Sequence, residues 1–330
     1  MAGWDSAFDA HGNELRRAYF GTDGQPALSA GGYAAEAFEY DGRGNQIKAR
    51  FFDTDGRPIL NAEGYAGQEA EYDGRGNQTR LRYFGTDGQP ILSRDGYAGW
   101  DAVYDGRGNQ IRFTYLGTDG KPVLAADGYA GFESEYDAHR NIIKTTIFGT
   151  DGKPVLNDYG GCCFESVFDE RDNERKVSYF GLDGEAVLNA DGFSSCESEY
   201  DGRDRKIRCR YFGTDGQPVL FRDGYAGWDA VYDERGNQIK VSFVGLDGEP
   251  CLHIGGFAGL ESEYDERGNE IRTSYFGRDG KPITNDGGYA SCETDYDPYG
   301  NRTVVRYYDR KGRLLAAVEY DKDGNILSRT

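Results

Sequence analysis

The chain has 330 residues, with 57 acidic side chains against 38 basic ones and a formal net charge of −19. That balance repels phosphate backbones and anionic lipid surfaces, which argues against a nucleic-acid partner and against membrane adhesion. Only 37 % of residues are apolar, and no run approaches the roughly 20 that a membrane-spanning helix needs, so membrane insertion is excluded as well. Disorder is opposed by 14 % aromatics and 49 glycines, a mixture that suits short strands joined by tight turns.

An aromatic–aspartate pair recurs every 32 residues, from Phe8-Asp9 through Tyr40-Asp41 and Tyr104-Asp105 to Tyr296-Asp297, in register across ten units. A fixed period of this kind marks a repeat architecture. In the unit from Tyr104 to Glu135 there are three turn signals: Gly106 to Asn109, Thr118 to Lys121 and Ala126 to Gly128. Asp-Gly and Gly-Asn steps supply the positive φ of hairpin turns. The stretches between are too short for helices, which excludes helical repeats and makes the unit all-β.

Along the unit, a first strand ends at Tyr104 and a second runs to Tyr115. A four-residue loop from Gly106 to Asn109 places Asp105 opposite Gln110, Tyr104 opposite Ile111, Val103 opposite Arg112 and Trp100 opposite Tyr115. Alternation then puts Trp100, Ala102, Tyr104, Ile111, Phe113 and Tyr115 on an apolar face and Asp101, Val103, Arg112 and Thr114 on the other. Acid opposite base recurs on that second face, as Glu39–Lys48, Glu71–Arg80, Glu135–Lys144, Glu199–Arg208 and Glu263–Arg272. Such pairs favour the register by about a few tenths of a kcal/mol each. The Pro122-Val123-Leu124 segment reads as a short edge piece whose Val-Leu pair packs onto the hairpin.

After Tyr308 the unit gives way to aromatic–Asp pairs only 12 apart, Tyr308-Asp309 and Tyr320-Asp321. The expected organisation is therefore one continuous array over residues 1–308 and an atypical capping hairpin over 309–330. The expected fold is all-β: an open linear β-solenoid or rod of stacked β-hairpins, built from ten 32-residue units and monomeric. Ala2-Gly3-Trp4 matches Ala98-Gly99-Trp100, so the chain reads as a segment of a longer array.

The stretch Tyr232 to Lys240, YDERGNQIK, resembles the bacterial YD repeat of the RHS family, as does the tail from Tyr296 to Leu314. That resemblance implies a β-sheet shell segment able to enclose another polypeptide. The other half of the unit, Tyr211 to Trp228, is similar to cell-wall-binding and choline-binding hairpin repeats, which implies a solenoid that binds bacterial glycans through aromatic side chains.

Catalytic constellations are absent from the sequence. His11 and His139 occupy a turn slot held mostly by Arg, and His253 stands alone. The six cysteines lack metal-ligand spacing and read as free, mostly buried thiols. Asp105, Asp119 and Asp127, with Asp321, Asp323 and Asn325 in the tail, raise structural calcium, but Asx turns account for them without metal, and no cofactor is expected. The variable slot four residues before each aromatic–Asp pair holds Trp4, Glu36, Gln68, Trp100, Phe132, Phe164, Cys196, Trp228, Leu260 and Cys292. A core slot should reject Glu36 and Gln68, so its aromatics, Trp4, Trp100, Phe132, Phe164 and Trp228, are the candidate ligand-binding residues. The function expected is a non-enzymatic binding or spacer rod of a bacterial surface or secreted protein. Its partner would be a bacterial polysaccharide or a protein. The alternatives are a cytoplasmic protein-interaction scaffold and an RHS-like shell segment.

Overall fold

The computed structural model describes residues 3–157 and 159–330. Among the described residues there is no helix, and 22 strands run in chain order from β1 (Gly3–Phe8) to β22 (Ile326–Arg329). The chain divides into two compact parts, residues 1–165 with 181–184, and residues 166–180 with 185–330. Within each part strand contacts join strands adjacent in sequence, and the pairing is antiparallel throughout. Among the described residues β1 pairs with β2 (Glu14–Phe20) alone, and β22 with β21 (Leu314–Tyr320) alone, so both sheet edges are open. The expected open array of stacked hairpins is what the chain forms. The tail from 309 to 330 continues the same meander, with β20 (Arg302–Tyr308), β21 and β22 paired in turn.

One hairpin shows why the sequence folds this way. Strands β7 (Gly99–Tyr104) and β8 (Gln110–Leu116) pair with Trp100 opposite Tyr115, Ala102 opposite Phe113 and Val103 opposite Arg112. The loop differs from expectation. Tyr104 faces Gln110 rather than Ile111, and a β-bulge leaves Ile111 unpaired. Asp105 does not pair with Gln110. Its backbone N–H donates to Asn109 O at 2.9 Å, and its carboxylate accepts from Arg107 N (2.8 Å), Asn109 N (2.9 Å) and Asn109 Nδ2 (2.9 Å). Satisfying three donors draws Asn109 into a five-residue loop and shifts the register by one. Gly108, at φ 85°, supplies the left-handed residue that this loop needs.

The third segment folds back on the hairpin end: Leu116 bridges to Pro122, and Val123 N donates to Tyr115 O at 3.1 Å. The Val-Leu expectation holds for Val123, which is half-buried. It fails for Leu124, which points outward with 48 % exposure, as do Leu60 and Leu92 in equivalent places. Alternation in this short piece sends neighbouring side chains to opposite sides.

The core of each part is an aromatic row. In the first, rings touch in sequence from Tyr19 through Tyr33, Phe51, Tyr65, Tyr83, Tyr97 and Tyr115 to Tyr129, with centroids 4.2 to 6.1 Å apart. In the second, the row runs from Tyr179 through Phe193, Tyr211, Tyr225, Phe243, Phe257, Tyr275 and Tyr289 to Tyr307. Burial raises the phenol pKa of Tyr83 and Tyr275. Beside the row sits a small residue such as Ala98, 1 % exposed. It accepts from Tyr83 N and donates to Leu116 O, which stitches successive hairpins together.

Candidate functional site: glycine-floored hollows on the polar face

The polar face carries the acid–base ladder, in the register expected from sequence: Glu39–Lys48, Glu71–Arg80, Glu135–Lys144, Glu199–Arg208 and Glu263–Arg272 are cross-strand pairs. The ionic contacts, however, mostly reach onward to the next hairpin. Lys48 binds Glu69 (2.6 Å), Lys144 binds Glu165 (2.7 Å), Lys176 binds Glu197 (2.9 Å) and Lys240 binds Glu261 (2.8 Å). Arg80 spans both partners, Glu71 at 2.8 Å and Asp101 at 3.2 Å. A base flanked by strands on both sides can choose either, and these choose mainly the hairpin ahead.

Between that ladder and the hairpin ends lies a glycine opposite a variable residue. Thr114 pairs with Gly131, Ser242 with Gly259, Arg50 with Gly67, Arg82 with Gly99 and Arg210 with Gly227. Glycine is required by close approach: a Cβ on Gly131 would lie 2.3 Å from Phe113 O, and one on Gly99 2.1 Å from Leu81 O. The missing side chain leaves a hollow walled by a proline and an aromatic ring and rimmed by the ion pair. Three are open. One of about 350 Å³ involves Gly67, Pro58, Phe84 and the Lys48–Glu69 pair. Another of about 230 Å³ involves Thr114, Gly131, Pro122, Phe148 and the Arg112–Glu133 pair. The third, about 180 Å³, involves Ser242, Gly259, Pro250, Phe276 and the Lys240–Glu261 pair.

At Gly99 and Gly227 the chain fills the place itself. Arg82 Nη1 donates to Leu81 O (2.7 Å) and Trp100 O (2.8 Å), and its Nη2 donates to Asp101 (2.7 Å). Arg210 repeats this with Cys209 O (2.8 Å), Trp228 O (2.9 Å) and both oxygens of Asp229 (2.9 and 2.8 Å). Burial alone would raise the Asp229 pKa, but the guanidiniums of Arg210 and Arg208 hold it below the usual carboxylate value.

The candidate ligand-binding aromatics are not equally exposed. Trp4 is 61 % exposed with the Arg17 guanidinium 5.2 Å from its ring, whereas Trp100, Phe132, Phe164 and Trp228 are half-buried. Trp100 packs on Phe113, which stacks on Phe132 at 5.5 Å, and Trp228 packs against the Cys196–Cys209–Tyr211 core. The slot also accepts a buried acid, contrary to expectation. Glu36, 6 % exposed, takes a hydrogen bond from the Tyr19 hydroxyl at 2.9 Å and lies 3.8 Å from Arg17, which supplies the partners its charge needs.

Other candidate groups are held structurally. His253 lies 4.9 Å from the Phe243 ring and accepts from Gly255 N at 2.8 Å. The backbone N–H groups of His11 and His139 donate to turn aspartates. No disulfide joins the six cysteines, four of which are buried; Cys196 and Cys209 bring their sulfurs to 2.6 Å, and the hydrogen bond between them draws the Cys209 pKa down. Among the described residues no cluster of three or more His, Cys, Asp or Glu is placed to hold a metal ion.

No family model matches the chain, and no curated protein matches it. Solved structures similar to it include the crystal structure of TcdB2-TccC3-TEV, at 12 % identity and TM-score 0.45, covering 98 % of this chain and 16 % of that one. TcdB2-TccC3 aligns at 13 % identity and TM-score 0.35, over 97 % of this chain and 19 % of that one. The Tc holotoxin pore of Photorhabdus luminescens aligns at 13 % identity and TM-score 0.31, over 97 % and 18 %. This chain spans less than a fifth of each of those chains.

Proposed function

We propose that the chain is a non-enzymatic repeat scaffold that binds a polypeptide partner along its polar face, each open hollow receiving one partner side chain. The observation that carries this reading is the recurrence of one hollow, built from the same slots, at Gly67, Gly131 and Gly259. Volumes of 180 to 350 Å³ suit single side chains. A partner that repeats its contacts along the array gains avidity from individually weak sites. A second reading, glycan binding through Trp4, Trp100, Phe132, Phe164 and Trp228, is favoured by the exposure of Trp4. The half-burial of the other four limits the ring faces they can offer to sugars.

Selection of a displayed random-peptide library on the full chain tests the proposal. Enriched peptides should bind the wild type and lose affinity to a Thr114→Trp, Ser242→Trp variant, whose added rings occupy two hollows. If no peptide is enriched while peptidoglycan shifts the tryptophan fluorescence, and Trp100→Ala, Phe132→Ala, Phe164→Ala removes that shift, the glycan reading replaces it.

A further inference from the structure

We propose that the hollows floored by Gly131 and Gly259 are receptor sites for arginine side chains of the partner; this rests on the polypeptide-binding reading and gives it a chemistry. Two sister units show what can fill such a place, although Arg50, in the same slot opposite Gly67, leaves its hollow open. At Gly99 and Gly227 a guanidinium spans two backbone carbonyls and a carboxylate.

The open units keep every acceptor of that arrangement in the same register. Phe113 and Phe132 are paired as Leu81 and Trp100 are, and Arg112–Glu133 as Arg80–Asp101 are. In the second part Val241, Leu260 and Glu261 hold the places of Cys209, Trp228 and Asp229. Only the cation is missing: Thr114 and Ser242 stand where Arg82 and Arg210 do. In the filled units one carboxylate serves two arginines, Asp101 binding both Arg80 and Arg82 and Asp229 both Arg208 and Arg210. Glu133 and Glu261 each hold one ladder cation, Arg112 and Lys240. A second guanidinium supplied from outside would restore the pattern found in the filled units. A planar fork reaches the two carbonyls from one nitrogen and the carboxylate from another, whereas a compact ammonium must reach all three from a single nitrogen. The net charge of −19 draws such a partner in.

The test uses the full chain and fluorescein-labelled octa-arginine, with octalysine of the same length as comparison. Octa-arginine should bind about tenfold more tightly than octalysine, because the charge-assisted fork is worth about that much. Thr114→Arg with Ser242→Arg lets the chain fill its own hollows, as the Arg82 and Arg210 units do, and should weaken octa-arginine binding about tenfold. A charge-matched control, Gln89→Arg with Gln217→Arg in exposed turns, should bind like wild type. The reverse variant, Arg82→Thr with Arg210→Thr, opens two more hollows and should raise the number of octa-arginines bound. Thermal melts confirm that each variant is folded. Equal affinity for octa-arginine and octalysine overturns the assignment. So does equal binding by the self-filled variant and its charge-matched control. If library peptides still bind in either case, the polypeptide-binding reading stands and the arginine assignment alone fails; if no peptide binds, both fall.

Discussion

The hydroxyl of Tyr136, in β9 (Gly131–Tyr136), donates 3.0 Å to the carbonyl oxygen of Gln110, the first residue of β8 in the preceding hairpin. Tyr72, Tyr200, Tyr232, Tyr264 and Tyr296 reach back 26 residues in the same way. The tyrosine of the aromatic–Asp pair is thus a clip between hairpins as well as a packing residue. Tyr136→Phe keeps the ring and strands the carbonyl, so it should cost about 1 kcal/mol, read as a lower urea midpoint at unchanged slope. An unchanged midpoint would show that the clip adds nothing.

Acid sensitivity follows from the turn aspartates. The Asn45 side chain lowers the pKa of Asp41, the Asn109 backbone N–H that of Asp105, and the Arg205 guanidinium brings Asp201 from 3.8 to about 2. A folded pKa below the unfolded one means that the contribution is complete above the unfolded value and lost as pH falls through the folded one. The stability difference between wild type and Asp201→Asn should therefore be constant above about pH 5 and shrink as pH falls toward about 2. Comparing the two proteins cancels the general relief of charge repulsion on acidification. A difference that widens below pH 4 contradicts the assignment (about one unit inside the titration window).

Leucines in the two kinds of place should respond differently. Leu81 is 8 % exposed and packs among Tyr83, Ala70 and Trp100, whereas Leu92 is 46 % exposed. Leu81→Ala should cost about 2 to 5 kcal/mol, and Leu92→Ser less than about 1 kcal/mol. Equal costs in urea unfolding would mean that the outward leucines are covered.

Alkylation of the folded protein should separate the thiols. Cys163 and Cys292 are half-buried, while Cys162, Cys196, Cys209 and Cys251 are buried. Mass-mapped iodoacetamide labelling should modify the first two ahead of the other four, whose reaction waits on local opening. Early labelling of Cys162 or Cys251 would contradict that order.

Much of this was legible in the sequence, because a period of 32 with two-residue alternation fixes which side chains share a face. The Val103–Arg112 and Trp100–Tyr115 pairs follow from that alone. Three features did not follow. The bulge at Ile111 depends on how many donors the Asp105 carboxylate gathers, which loop length does not state. The aromatic rows join Tyr83 to Tyr97 across a turn, and the Tyr-Ala-Gly step looks like a connector until the chain is folded. The hollows depend on a glycine and a residue 17 positions earlier, Gly99 with Arg82 or Gly131 with Thr114; comparing these two columns across units would have exposed the pairing.

Urea unfolding of a variant lacking one whole unit, Tyr104 to Glu135, tests the repeat-scaffold account most directly. The deletion joins Val103 to Tyr136, so a Tyr-Asp turn follows the same strand as before. Because strand contacts among the described residues run between neighbours in sequence, the shortened chain should unfold in one cooperative transition, with a denaturant slope lower by about a tenth. A variant with no cooperative transition would mean that the units depend on distant partners, and the picture of an open array of nearest-neighbour hairpins would be wrong.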